Sequence, residues 1–145
     1  MARILEIQQK SNQWLANFTA NVVRIIEVNS EKTVDFNRSQ MLSSKDADDK
    51  PLTHESTGSE KLTKAYAKRT GKSKPNLWLK GEFQEEMFLF MPNEKEYFIS
   101  SKDYKAGFLS KNYGKIFGVS PKNQQKAQAI NDAAIINDYL KAVFQ

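Results

Sequence analysis

The sequence predicts an α+β fold in a single domain covering residues 1–145, and three observations lead there. Apolar residues recur at steps of three and four at both ends of the chain. The middle changes to a run rich in aromatics, split by the short polar turn Pro92-Asn93-Glu94-Lys95. Between these patterns lies a long stretch of turn-forming residues. A chain of 145 residues with 39% hydrophobic and 27% charged residues can bury a core and lies well outside the disordered range.

The first helix is expected over residues 4–28. Ile4, Ile7, Trp14, Leu15, Phe18, Val22, Ile25 and Ile26 form its stripe, and Asn29 and Ser30 are the terminators. At 1.5 Å per residue it would run about 37 Å, long for so small a domain. Its stripe either lies on the sheet or partly faces a neighbouring subunit. Val34 to Leu42 reads as a short helix with Asp35 near its cap. Residues 43–59 carry turn formers and little to bury, so they read as a long exposed loop or arm, ordered only when something holds it. Helical spacing resumes over residues 60–70 through Leu62, Ala65, Tyr66 and Arg69, and stops at Gly71. An antiparallel hairpin is expected at about residues 83–99, with Phe88 and Phe90 on one face and Met87, Leu89 and Met91 on the other. Both faces are apolar, so both should be covered, by the chain's own helices or by a partner.

A short helix follows over residues 103–112, ending near Gly114. Ser120 and Pro121 then start a long C-terminal helix over about residues 121–143, with Ala127, Ile130, Ala133, Ala134, Asn137, Leu140 and Phe144 as its buried stripe.

Composition narrows the chemistry. There is no cysteine, so disulfide scaffolds, thiol catalysis and Cys-ligated zinc are excluded. The one histidine, His54, leaves no pair for a metallohydrolase centre. No apolar run approaches the roughly 18–20 residues of a membrane span, and the first residues do not read as a secretory signal. The expectation is a soluble protein made inside the cell, without membrane contact. Asp46-Ala47-Asp48-Asp49-Lys50 has Lys50 and Pro51 where a calcium loop needs an oxygen ligand and a glycine, so calcium is not expected. On a strand, Glu82 and Glu86 would stand about 13 Å apart, too far to act on one bond. They read as solvated or as partners in salt bridges. Catalytic residues, cofactors and metals are therefore all expected to be none.

Charge is the stronger signal. The net charge is +5, and Lys61, Lys64, Lys68, Arg69, Lys72 and Lys74 fall close together without an acid among them. The stripe is either a solvated helix face or a contact for phosphates that salt would weaken. Lys102, Lys105, Lys111, Lys115, Lys122 and Lys126 form a second basic group with only Asp103 against it.

Three stretches resemble a known group. Arg38-Ser39-Gln40-Met41-Leu42, followed by Asp46-Ala47-Asp48-Asp49-Lys50-Pro51-Leu52, resembles the N-terminal part of small neck proteins of tailed bacteriophages. Leu79-Lys80-Gly81-Glu82-Phe83 stands where that group shows an apolar residue, Thr-Gly and another apolar residue, with Lys80 in place of the Thr. Tyr113-Gly114-Lys115-Ile116-Phe117-Gly118-Val119-Ser120 resembles the later segment that leads into the last helix. The resemblance spans roughly residues 35–120 and is to tail-completion or head–tail connector proteins, which include virion morphogenesis proteins. It implies helices packed on a small antiparallel sheet and no catalytic residues or cofactor. It also implies a structural protein of the virion, a homo-oligomeric ring around the DNA channel between portal or adaptor and tail. Under it, Asp46, Asp48 and Leu52 belong to an inter-subunit arm, and Phe88 and Phe90 to a ring-forming hairpin. The Lys61–Lys74 stripe would face the channel or a partner, with non-specific DNA contact. The alternative reading is a small basic accessory protein that binds nucleic acid without sequence specificity.

Overall fold

The structure, a computed structural model, describes residues 2–54, 64–72, 74, 75, 77 and 81–145, and the side chains of all of these except residues 64–66. In chain order the elements are α1 (Ala2–Ala16), α2 (Phe18–Val28), α3 (Ser30–Leu42), α4 (Lys64–Thr70), α5 (Glu82–Glu85), β1 (Met87–Asn93), β2 (Glu96–Ser101), α6 (Ala106–Tyr113) and α7 (Pro121–Phe144). The fold is α+β, with a two-stranded antiparallel sheet and long helical segments at both ends of the chain.

The single helix expected over residues 4–28 is broken at Asn17. The carbonyl of Trp14 would serve the amide of residue 18 in an unbroken helix. Here it accepts from the Asn17 amide at 3.2 Å and from Asn21 Nδ2 at 3.1 Å. Asn17 Nδ2 donates to the Gln13 carbonyl at 3.0 Å. Side-chain amides thus compete with the backbone ladder and end the helix. A second turn at Asn29 leads directly into α3, which begins at Ser30, so Asp35 lies inside that helix and not near its cap.

The hairpin is displaced from its expected bounds. Phe83 belongs to the helical turn α5, and the ladder runs from Met87↔Ser101 to Asn93↔Glu96 with an irregularity between Phe90 and Asn93. Because Glu82 lies in α5 and not on a strand, the strand spacing to Glu86 does not apply. Glu82 instead pairs with Lys105 at 3.5 Å.

The main core collects Val34 and Met41 from α3, Leu52 from the loop, Phe83, Met87 and Ile99 from the α5–hairpin unit, and Ile116 from the last connector. Two buried amides sit among them. Asn37, fully buried, donates to the Ile116 carbonyl and accepts from the Gly118 amide, both at 2.8 Å. Gln40 donates to the carbonyls of Asp46 and Gly118 and accepts from the Ser120 amide and Asn123 Nδ2, each within 3.2 Å. Arg38 on the same helix donates to the carbonyls of Gln84 and Met87, tying α5 and β1 to α3. Burial opposes the charge on Arg38, but its hydrogen bonds to Glu31 and Asp35 more than offset this, and its pKa is raised. Gly118 stands at φ 134°, and a Cβ there would lie 3.1 Å from Ala47 Cβ. Only glycine combines that backbone with that approach.

α7 starts where expected, with Ser120 as N-cap and Pro121 in the first turn. Its expected stripe is only partly buried. Ala127 and Val143 are covered, whereas Leu140 and Phe144 are exposed. The N-terminal helices pack on α7 and not on the sheet, and of their expected stripe only Trp14 and Ile25 are buried. Trp14 Nε1 donates to Asp138 Oδ2 at 2.9 Å, Arg24 reaches the same oxygen at 2.8 Å, and the Trp14 and Tyr139 rings meet edge-on at 5.2 Å. This clasp lies outside the main core.

Two measurements check these assignments. Gln40→Leu removes partners from four polar groups, and a buried group left unpaired costs about 1–3 kcal/mol. Urea unfolding should therefore show a loss of about 3 kcal/mol or more, comparable to deleting a core side chain such as Met41→Ala. The carboxyl of Asp138 is held below the usual aspartate range, first by the Trp14 hydrogen bond and then by Arg24. A depressed folded-state pKa stabilises the fold above the unfolded value of about 3.9, and the gain is lost as pH falls through the lower folded value. The stability gap between the wild-type chain and Asp138→Asn should be constant at neutral pH and shrink progressively in acid below that value.

Candidate functional site

The loop after α3 begins as a strapped turn. Asp46 Oδ1 accepts the amides of Asp48 and Lys50, both at 2.9 Å, and Lys45 bridges Pro51. The Ala47 amide donates to the Lys115 carbonyl at 2.8 Å, and Lys115 Nζ meets Asp48 at 3.3 Å. Leu52 is buried in the chain's own core. Much of residues 43–54 is exposed, as expected of a loop. Three of the predicted arm residues, Asp46, Asp48 and Leu52, nevertheless have partners within the same chain. A sequence scan missed this because one leucine among turn formers carries no periodicity. Residues 55–59 of the expected arm lie outside the described residues.

The first basic stripe is partly described. Lys61 lies outside the described residues, as does the side chain of Lys64. Lys68 and Arg69 are exposed in the last turn of α4, where cations suit the carbonyl end of a helix. Lys74 is exposed, whereas Lys72 is half-buried and burial lowers its pKa. Of the described members of the stripe, Lys68, Arg69 and Lys74 are thus open and Lys72 is partly covered.

The aromatic and basic residues around the hairpin are better organised. Met87 and Ile99 turn into the core. The opposite face carries Phe88, half-buried, with Phe90 and Phe98 at 42% and 49% exposure. Successive ring centroids are 5.8 and 5.7 Å apart, and Lys102 Nζ lies 5.6 Å from the centre of the Phe88 ring. Of the two covers expected for the hairpin, the chain's own helices or a partner, the described residues leave this face without the first. Nearby in sequence, Tyr104 in the turn before α6 and Phe108 on α6 are 88% and 66% exposed. Lys105 Nζ stands 5.3 Å from the Tyr104 ring centre. The sequence reading passed over these two aromatics, although the spacing of Tyr104, Phe108 and Lys111 by four and three was a signal for a shared helix face.

Open grooves of mixed polar and apolar lining mark other parts of the surface. One of about 450 Å³ runs past Gln13, Trp14, Asn21 and Arg24. A smaller one of about 190 Å³ lies at the start of α7 among Ser39, Lys45, Asp49, Lys122 and Lys126. His54 packs edge-on to Tyr113 at 5.3 Å. Among the described residues no group of three His, Asp or Glu side chains is placed to hold a metal ion. Among the same residues no helix is long and apolar enough to cross a membrane. No family model, curated protein or solved structure matches the chain.

The open aromatic face makes its own test. Phe90→Thr combined with Phe98→Thr keeps strand-favouring residues and loses an aromatic pair worth about 1 kcal/mol. The double variant should stay folded by circular dichroism with a small loss of stability, while the fluorescence of a dye that reports exposed apolar surface falls several-fold.

Proposed function

We propose that this chain is a structural virion protein of a tailed phage, a ring-forming component of the head–tail junction that joins portal or adaptor to tail around the DNA channel. One observation carries the reading. A scaffold held together by buried amides leaves five of its nine phenylalanines exposed, Phe18, Phe90, Phe98, Phe108 and Phe144. The contiguous part, Phe90 and Phe98 beside Phe88, is apolar surface of the kind that marks contact with other macromolecules, and a protomer completed by its neighbours needs exposed apolar residues on more than one side. The described parts of the three stretches that carry the resemblance share the core through Met41 and Leu52, Phe83, and Ile116. Gln40 bonds the Asp46 turn and Gly118, and Arg38 bonds Gln84 and Met87 next to the segment that begins at Leu79. Those residues build the frame, and the role proposed for the chain is non-catalytic.

A second reading, non-specific nucleic-acid binding, draws on the lysines set over Phe88 and Tyr104, since aromatics interleaved with cations can stack bases and hold phosphates. Sedimentation of the purified chain, alone and with short duplex DNA at low and moderate salt, separates the two. The neck reading predicts a monomer or discrete ring indifferent to DNA. Stoichiometric co-sedimentation that disappears with salt would replace it with the nucleic-acid reading.

A further inference from the structure

Two surfaces of this chain complement each other and cannot meet within one copy. The first is the outward face of α6. Leu109 and Ala106 turn to the core and leave Tyr104, Phe108 and Lys111 on the open side, next to Lys105. The nearby acids are Asp103, whose side chain is 6% exposed, and Glu82, which pairs with Lys105. The face is therefore aromatic and basic.

The second surface is a groove of about 560 Å³ where the α1–α2 break meets the tip of the hairpin. Leu15, Phe18 and Val23 line it, with Glu27 and Glu94 as its acids. Leu15 and Phe18 are about half exposed there. Arg24 also borders the groove, but its guanidinium is engaged by Asp138. This surface is apolar and acidic.

Glu94 sits in the turn after β1, whereas Lys102 follows directly on β2 at the other end of the same ladder. At 3.3 Å per residue the two ends of this hairpin are about 20 Å apart. The α6 face cannot fold back into its own groove without breaking the ladder. We propose that the aromatic–lysine face of α6 docks into the acidic, apolar groove of a second copy of this chain, as a head-to-tail contact. Matching charge selects the pairing, and the buried aromatics supply its non-directional part. A contact between two different patches repeats from copy to copy and closes into a ring when the rotation allows. The inference rests on the ring reading above and names the surfaces that would make it.

The absence of cysteine makes the test clean. Gly107 is exposed beside Phe108, and a Cβ there meets nothing within 4 Å, while Thr19 is exposed in the lining of the groove. Gly107→Cys and Thr19→Cys therefore place single thiols at the contact, the second in place of a side chain of similar size, and leave its aromatic and charged side chains intact. With a short bis-maleimide, the mixture of the two single variants should give one cross-linked dimer, and the double variant a ladder of multimers. Adding Phe108→Asp to the double variant should reduce the ladder at least tenfold, with circular dichroism checking the fold. Lys111→Glu should weaken it, and Glu27→Lys in the same chain should restore it.

Cross-linking of Gly107→Cys alone as efficient as that of the mixture would overturn the proposal, because it indicates a symmetric contact. A double variant that yields only monomer would overturn it too. Sedimentation of the wild-type chain at the same concentration tells the two failures apart. Oligomers without a ladder reject this contact and leave the ring standing, whereas a monomer without cross-links rejects this contact and leaves the neck reading to the DNA sedimentation above.

Discussion

Two carboxamides on one helix hold this molecule together. Asn37 and Gln40 are one turn apart on α3, and between them they bond the Asp46 turn, both sides of the 116–120 connector and the first turn of α7. The connector also anchors itself through Ile116, with Phe117 and Val119 against the core, but its polar backbone has to be served as well. The backbone groups of these segments are buried, and buried polar groups must be paired. A side-chain amide supplies donor and acceptor together, so each can serve two backbone strands at once. Removing either would leave several orphaned groups inside the protein, which is why the frame depends on them as much as on a core side chain.

Around that frame the chain divides its apolar residues unevenly. The core of Val34, Met41, Leu52, Phe83, Met87, Ile99 and Ile116 is compact and joins α3, loop, hairpin and connector. The helices α1 and α2 pack on α7 through Trp14, Ile25 and a carboxylate shared by Trp14 and Arg24. That clasp covers one side of each helix and leaves Ile4, Leu5, Ile136, Leu140 and Phe144 exposed. A two-stranded hairpin has the same shortage, since one face meets the core and nothing within the described residues fully covers the other. The exposed surface follows from having too few layers for the apolar faces present.

The motifs that resemble neck proteins therefore have a structural explanation. Gln40, the Asp46–Leu52 turn and Gly118 are residues a fold of this plan needs to close, whatever surface it presents. In the proposed reading, specific contact is left to residues outside those motifs, namely Phe88, Phe90, Phe98, Tyr104 and Phe108 with their lysines. This separation of frame from surface suits a role in assembly, where the fold must stay constant while partners differ.

Much of the fold was legible in the residues alone. The α+β class, the aromatic hairpin, the Ser120-Pro121 helix start and the presence of helices at both ends followed from period, turn chemistry and capping, all of which are local. The break at Asn17 was not legible, because it turns on whether an asparagine side chain bonds the backbone or water. Burial of Leu52 and of the Asn37–Gln40 pair was decided by segments some 60–80 residues away in the chain. The basic stripes were visible as composition, but which lysines lie over aromatic rings and which lie half-buried was not. Local sequence determined what each segment could become. Only tertiary packing decided which apolar faces found cover, because a face is buried by what arrives opposite it and not by its own residues.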